Sequence, residues 1–324
     1  MSHAIRFDRT GGPEVLKWEP VEVGEPGPGE VRIRQHACGL NFIDIYHRDG
    51  LYPVPLPSGI GLEGAGVVEA VGPGVAEFAA GDRVAYAGGP IGAYAEVRLM
   101  PADRLVRLPD SIGFEQAGGM MLKGMTAQYL LRRTYRVQPG DAILVHAAAG
   151  GVGLILCQWA KALGATVIGT VGSEEKAAAA RAHGCDHTIL YRRENFAERV
   201  REITAGAGVA VVYDSVGKDT FMDSLDCLRP LGMMVSFGSA SGPVAPFDLG
   251  LLAKKGSLFL TRPTLFTYIA ARADFTAMAT ELFEVVASGK VKIEVNQTYP
   301  LREAERAQAD LEARRTSGST VLLT

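Results

Sequence analysis

The run His146-Ala147-Ala148-Ala149-Gly150-Gly151-Val152-Gly153 lies between an apolar segment, Asp141 to Ala147, and a helical stretch, Leu154 to Leu163, closed by Gly164. Glycines at this spacing suit a strand-to-helix turn wrapped around a pyrophosphate. Gly150 lets the chain turn, Gly151 leaves room for backbone to approach an anion, and Gly153 lets helix and strand pack closely. The first N–H groups of the helix have no partner within it and face the anion, so Ala149 to Gly153 form a candidate dinucleotide cradle. A tight turn with no ligand is the alternative, and it loses ground because further strands follow in the rhythm of a dinucleotide-binding sheet.

NAD sites commonly place a carboxylate about 20 residues beyond such a turn, at the end of the second strand, on the ribose 2′-hydroxyl. Here that strand end reads Gly169-Thr170-Val171-Gly172-Ser173, with Glu174 and Glu175 following as first-turn helix residues that serve the helix dipole. Ser173, Lys176 and Tyr191, the last ending the third strand, can instead surround a 2′-phosphate, which favours NADPH over NADH. The alternative for Lys176 is a solvated helix residue.

Other chemistries find no footing. The four cysteines, Cys38, Cys157, Cys185 and Cys227, form no CxxC pair, and the six histidines show no HxxxH spacing, so neither a zinc cluster nor a disulfide framework is written here. Cys38 reads as a core thiol and the histidines as structural or solvated. Gly238-Ser239-Ala240-Ser241-Gly242 follows a strand but lacks the Gly-x-Ser-x-Gly pattern of a hydrolase elbow.

The elements that must position these residues fall into two groups. The first third reads as short strands broken by Gly and Pro: Glu30 to His36, Gly64 to Val71, Arg83 to Tyr86 and Ala93 to Leu99. From Asp141 apolar strands alternate with helices: Asp141 to Ala147, Ala165 to Val171, His187 to Leu190, Val209 to Asp214, Met233 to Phe237 and Ser257 to Thr261. Six strands in this rhythm predict a parallel sheet with crossover helices, one of them Phe196 to Thr204 capped by Asn195. A helix over Asp274 to Ser288, a strand to Tyr299, a helix from Arg302 and a Thr320 to Leu323 strand are expected to rejoin the first group.

A chain of 324 residues suits two domains. Its 33 basic and 36 acidic residues give a net charge of -3 without a basic block, which argues against nucleic acid or anionic lipid as partner. The N-terminal stretch holds Arg6, Asp8 and Arg9 and no apolar run, so neither a signal peptide nor a membrane span is expected, and a reducing cytoplasmic setting is.

Gly11 to Leu16, Gly39 to Asp44, Gly81 to Val84, Ala147 to Gly153, Gln158 to Ala165, Asp214 to Gly217 and Thr261 to Pro263 together resemble the zinc-independent, zeta-crystallin-like quinone oxidoreductases of the medium-chain dehydrogenase/reductase superfamily. The resemblance implies an α/β protein with a GroES-like β-barrel catalytic domain, 1–124 and 262–324, and a Rossmann-like NADPH-binding domain, 125–261, with the active site in their cleft. It implies that Asn41, Lys123, Gly172, Ser173, Lys176, Tyr191, Ser215, Phe237, Gly238, Arg262 and Arg314 serve the cofactor, with Tyr46 and Tyr52 near the nicotinamide. Arg314 also reads as part of a basic helix end, and each tyrosine as a ring packed under a loop.

Where zinc enzymes of the superfamily carry Cys, His and Cys ligands, this chain matches with Asn41, Leu62 and Lys123, none of which suits tetrahedral zinc. Alcohol oxidation needs a stabilised alkoxide, whereas hydride delivery to a quinone needs chiefly an electron-poor acceptor over the nicotinamide. The resemblance therefore implies NADPH-dependent quinone reduction without metal by a homodimer. The alternative on the same scaffold is reduction of α,β-unsaturated carbonyls or enoyl thioesters, and a remote one is nucleotide-regulated RNA binding.

Overall fold

The computed structural model describes residues 1–324, and the chain divides into two compact units. Unit 1 comprises Met1–Met125, Ile269–Ala287 and Ile293–Thr324; unit 2 comprises Thr126–Tyr268 and Ser288–Lys292. The division gives residues 262–268 and 288–292 to the second unit, a later return to the first than the Arg262-Pro263 step indicated.

Unit 1 is built on a seven-stranded sheet. Its order runs Val295–Pro300, Ser319–Leu323, Glu30–Leu40, Glu63–Val71, Arg83–Ala87, Val106–Arg107, with Val97–Pro101 pairing the long Glu30–Leu40 strand as well. The C-terminal segments thus rejoin the first third of the chain through strand pairing, Leu322 opposite Cys38. A smaller sheet joins Ser2–Phe7 to Lys17–Val21 and Ser58–Gly59. Between them Ile5, Phe7, Val31, Ile33, Ile60, Tyr94, Met100 and Leu322 form a buried core, each such side chain contributing about 1.5–3 kcal/mol on burial.

One strand differs from the sequence reading. Ala93 to Leu99 is ladder-paired with Glu30–Leu40 only from Val97, because the residues before it bond to the Ser2–Phe7 strand instead: the Ile5 N–H donates to the Tyr94 carbonyl, the Glu96 N–H to the His3 carbonyl, and Ala95 bridges Ala4. The buried Gln35 amide satisfies the remaining carbonyls there, donating to Ala93 and Ala95 at 2.6 and 2.7 Å.

Unit 2 carries a six-stranded parallel sheet: β1 (Ala142–Val145), β2 (Thr166–Val171), β3 (His187–Leu190), β4 (Val209–Asp214), β5 (Leu228–Ser236) and β6 (Phe259–Thr261). Their spatial order, β3-β2-β1-β4-β5-β6, is that of a doubly wound dinucleotide-binding sheet. Helices α1 (Gly151–Ala162), α2 (Glu174–Ala182), α3 (Phe196–Ile203) and α4 (Phe221–Cys227) occupy the crossovers. Asn195 caps α3, accepting from the N–H groups of Ala197 and Glu198, and Leu144, Ile168, Val212 and Met234 are wholly buried in the unit's core.

Candidate functional site

The site residues of unit 1 hang on the end of its longest strand. Glu30–Leu40 delivers Asn41, which precedes the helix Phe42–Asp49. The Asp44 carboxylate accepts from the Asn41 N–H at 2.9 Å, the polar lock expected where a helix starts without backbone partners. The paired strand Glu63–Val71 begins opposite, with Cys38 facing Gly64, and so brings Glu63 beside Asn41.

Glu63 organises the cluster. It is fully buried and accepts from Asn41 Nδ2 at 2.8 Å, Lys123 Nζ at 3.1 Å and the Leu122 N–H at 2.8 Å. Gly39 is required beside it, since a Cβ there would lie 1.9 Å from Glu63 Oε2 and 2.3 Å from the Gly118 carbonyl. Because the carboxylate takes the Asn41 NH2, the Asn41 carbonyl is the group left to accept from a ligand hydroxyl. Asn41 and Lys123 are therefore joined through a carboxylate that sequence reasoning missed. The one available signal was its place immediately after Leu62.

These residues test the fit of a zinc ion. At the three matching positions stand an amide, the buried alkyl chain of Leu62 and an ammonium already paired with Glu63. Such a donor set supplies no thiolate or imidazole, so it does not fit tetrahedral zinc. Cys38, the nearest thiol in sequence, is fully buried, donates to the Ala93 carbonyl at 2.8 Å, and is pushed up to about 12 by burial.

Tyr46 lies on the helix that follows Asn41 and is buried; Tyr52 is half-buried. Their rings meet edge to face at 5.2 Å, and the Tyr52 N–H donates to the Tyr46 carbonyl, so the loop after the helix folds back on it. Arg314 stands past the end of the helix Ala304–Glu312 with φ 59°, its N–H donating to the Leu311 carbonyl and that of Arg315 to Asp310. This is a Schellman-type ending with arginine where glycine is usual.

Unit 2 assembles the other residues along the carboxyl edge of its sheet. Gly150 is the N-cap of α1, and Ala147 before it adopts φ 53°. Gly153 has no room for a side chain, because a Cβ would lie 2.4 Å from the Ala147 carbonyl and 2.7 Å from Ala148. His146 anchors the turn: Nδ1 lies 2.9 Å from Thr170 Oγ1 and Nε2 2.8 Å from Ser224 Oγ. The Ser224 hydroxyl donates to the Thr220 carbonyl, so the histidine donates to it from Nε2 and accepts at Nδ1. Burial pushes this imidazole below its usual range.

Ser173 caps α2 by accepting from the Lys176 N–H at 3.2 Å. A Cβ on Gly172 would meet the Tyr191 hydroxyl at 3.1 Å, which places that phenol against the end of β2. Gly172, Ser173, Lys176 and Tyr191 are thus neighbours at one end of the sheet. Ser215, Phe237 and Gly238 follow β4 and β5 and pack together, a Cβ on Gly238 falling 2.5 Å from the Ser215 carbonyl. Arg262, just after β6, donates to the Ser236 carbonyl at 2.8 Å.

The first family model that matches, described as "Alcohol dehydrogenase GroES-like domain", covers residues 27–110, and the second, "Zinc-binding dehydrogenase", covers 151–284. A quinone oxidoreductase of Pseudomonas aeruginosa is 59% identical over 324 residues, covering all of both chains. The chain belongs to the quinone oxidoreductase family. Within it, the crystal structure of Escherichia coli quinone oxidoreductase complexed with NADPH matches with a TM-score of 0.98 at 51% identity, covering 99% of this chain and 100% of that one. A 2-haloacrylate reductase of Burkholderia is also 52% identical, covering 100% of this chain and 99% of its own. The family's fold, a GroES-like unit and a Rossmann-like parallel sheet, is the one described above.

Proposed function

We propose that this chain is an NADPH-dependent reductase of quinones that works without metal. The observation that carries the reading is the Asn41–Glu63–Lys123 network, which fills with a neutralised ion pair the positions where zinc dehydrogenases of the superfamily hold their metal. With no Lewis acid to stabilise an alkoxide, the acceptor must be electron-poor in its own right. NADPH, when bound, supplies the hydride.

The cradle fits such a cofactor. Gly151, Val152 and Gly153 offer the N–H groups of the α1 N-terminus, and Ala149 and Gly150 lead into it past a backbone surface that a side chain at 153 would fill. Ser173, Lys176 and Tyr191 would hold the 2′-phosphate, while Gly172, Ser215, Phe237, Gly238 and Arg262 would line the remainder. Asn41, through its carbonyl, and Lys123, through donors not used on Glu63, would fix the nicotinamide ribose, and Tyr46 and Tyr52 would shape the acceptor site. The single proton that completes two-electron quinone reduction after hydride delivery would come from water.

The 2-haloacrylate reductase among the relatives favours a second reading on the same residues, reduction of activated alkenes. NADPH oxidation measured across 1,4-benzoquinone, larger quinones, 2-haloacrylates and enones, with radical detection on the best acceptor, separates the two. Turnover of no quinone at all overturns the first.

The assembly we propose is a homodimer paired through β6, an edge strand with β5 on one side only and Phe259 more than half exposed. Sedimentation as a monomer at micromolar concentration counts against it. A cytoplasmic location fits four buried, unpaired cysteines. No helix is long and apolar enough to cross a membrane.

A further inference from the structure

Asn41 is pinned from two directions. Its side chain is held by Glu63, and its backbone N–H by Asp44, a carboxylate with no part in the cofactor contacts proposed above. Asp44 is fully buried. Its Oδ2 accepts a second hydrogen bond, from the Tyr94 hydroxyl at 2.7 Å, whereas its Oδ1 is buried without a partner. Tyr94 is itself fully buried and faces Gln308, whose carbonyl accepts from Arg48 at 2.7 Å. Arg48 in turn pairs with Glu312. The helix cap at Asn41 therefore rests on a connected set of polar groups that is buried as far as Arg48 and reaches the surface at Glu312.

We propose that Asp44 is a positioning residue for the reaction: by gaining and losing a proton on its unpartnered oxygen, it tightens or relaxes the hold on Asn41, and through Glu63 on Lys123. This inference rests on the functional reading above. The proton exchanges with solvent and no other group changes charge. With Asp44 ionised, the bonds from Asn41 N–H and Tyr94 OH are charge-assisted and the cap is tight; with Oδ1 protonated, both bonds persist but weaken. Burial raises this carboxyl to about 7, with the nearby Glu63 charge adding, while Tyr94, the Asn41 N–H and the Lys123 cation oppose the rise. The other titratable group at hand, Cys38, is held neutral by its own burial.

The test is the pH dependence of NADPH oxidation with 1,4-benzoquinone, for the full-length wild type and for Asp44→Asn and Tyr94→Phe. In the wild type KM for NADPH should fall severalfold, about tenfold at most, as pH rises through about 7, with kcat little changed. The 2′-phosphate titrates separately near about 6 and leaves its inflection in every variant. Asp44→Asn should lose only the inflection near 7. Tyr94→Phe should move it upward, because a bond favouring the charged form is gone. Carboxyl-carbon and Asn41 side-chain amide NMR on the wild type give the same answer without turnover: the amide resonance should follow the Asp44 titration. Retention of the inflection in Asp44→Asn, or an Asn41 amide indifferent to that titration, overturns the proposal. A wild type that turns over no acceptor sinks the functional reading instead, and the NMR titration then decides the Asp44–Asn41 coupling by itself.

Discussion

Lys123 Nζ and Glu63 Oε2 stand 3.1 Å apart, with the ammonium 6% and the carboxylate 0% exposed. Two charges so placed are costly to bury and strongly interdependent, since removing either leaves the other without compensation in a medium that solvates it poorly. Glu63 offsets its own burial with two further donors, Asn41 Nδ2 and the Leu122 N–H. The pair is a device for holding Asn41 and Lys123 in place rather than a source of stability.

Glu63→Ala should therefore cost about 3–5 kcal/mol in urea unfolding of unit 1. The double change Glu63→Gln with Lys123→Met should recover much of that loss while leaving NADPH turnover impaired. Chelators should leave wild-type activity intact. Stoichiometric zinc whose removal stops turnover would contradict the donor-set argument.

Lys176→Ala should weaken NADPH selectively over NADH, by roughly ten- to a hundredfold, the value of a charge-assisted contact to phosphate of about 1.5–3 kcal/mol. Fluorescence titration with both cofactors reads this directly. Equal loss of the two affinities would point to a damaged α2 rather than a lost phosphate contact.

Tyr52→Phe removes only a hydroxyl and should cost well under the hundred- to ten-thousandfold, approximately, that a general acid supplies. Tyr52→Ala, which removes the edge-to-face partner of Tyr46, should chiefly raise the acceptor KM. A thousandfold loss in Tyr52→Phe or in Tyr46→Phe with NADPH binding intact would make a tyrosine the proton donor and strengthen the activated-alkene reading.

Asp44 also predicts a stability profile. In the unfolded chain an aspartate titrates near about 3.9, while burial raises Asp44 to about 7 in the fold. Between these values the native protein holds a proton that the unfolded chain lacks, so this group's contribution is fully present below about 4, falls as pH rises, and levels off above 7. Asp44→Asn lacks that term. Its stability relative to wild type should rise between pH 4 and 7, by at most about 1.4 kcal/mol per pH unit, and then stay constant. A difference independent of pH in urea unfolding would show that Asp44 does not titrate in this range.

The parts legible in the sequence are those that a short stretch of chain determines. The glycine turn is one, because Gly153 lies against the backbone of Ala147 and Ala148, only five to six residues away. The Asn195 and Ser173 caps are others, each bonded to N–H groups two or three residues on. The strand rhythm of unit 2 reads as clearly, since its central strands β1, β2 and β4 are buried on both faces over nearly all their length and appear as apolar runs. The adjacency of Ser173 and Lys176 belongs to the same class, both lying at one helix start.

Tertiary structure alone decided what meets across the chain. Asn41, Glu63 and Lys123 are 22 and 60 residues apart along it, and Glu63 reaches the other two only because its strand pairs antiparallel with Glu30–Leu40 in the register that sets Cys38 opposite Gly64. A shift of one residue in that pairing would turn Glu63 to the opposite face of the sheet. The switch of residues 94–96 to the Ser2–Phe7 strand, and Arg48 meeting Gln308 across 260 residues, depend on the same long-range packing. Side-chain type and local spacing carry a binding turn, whereas a buried polar network exists only once strand register has fixed which carboxylate faces which cation.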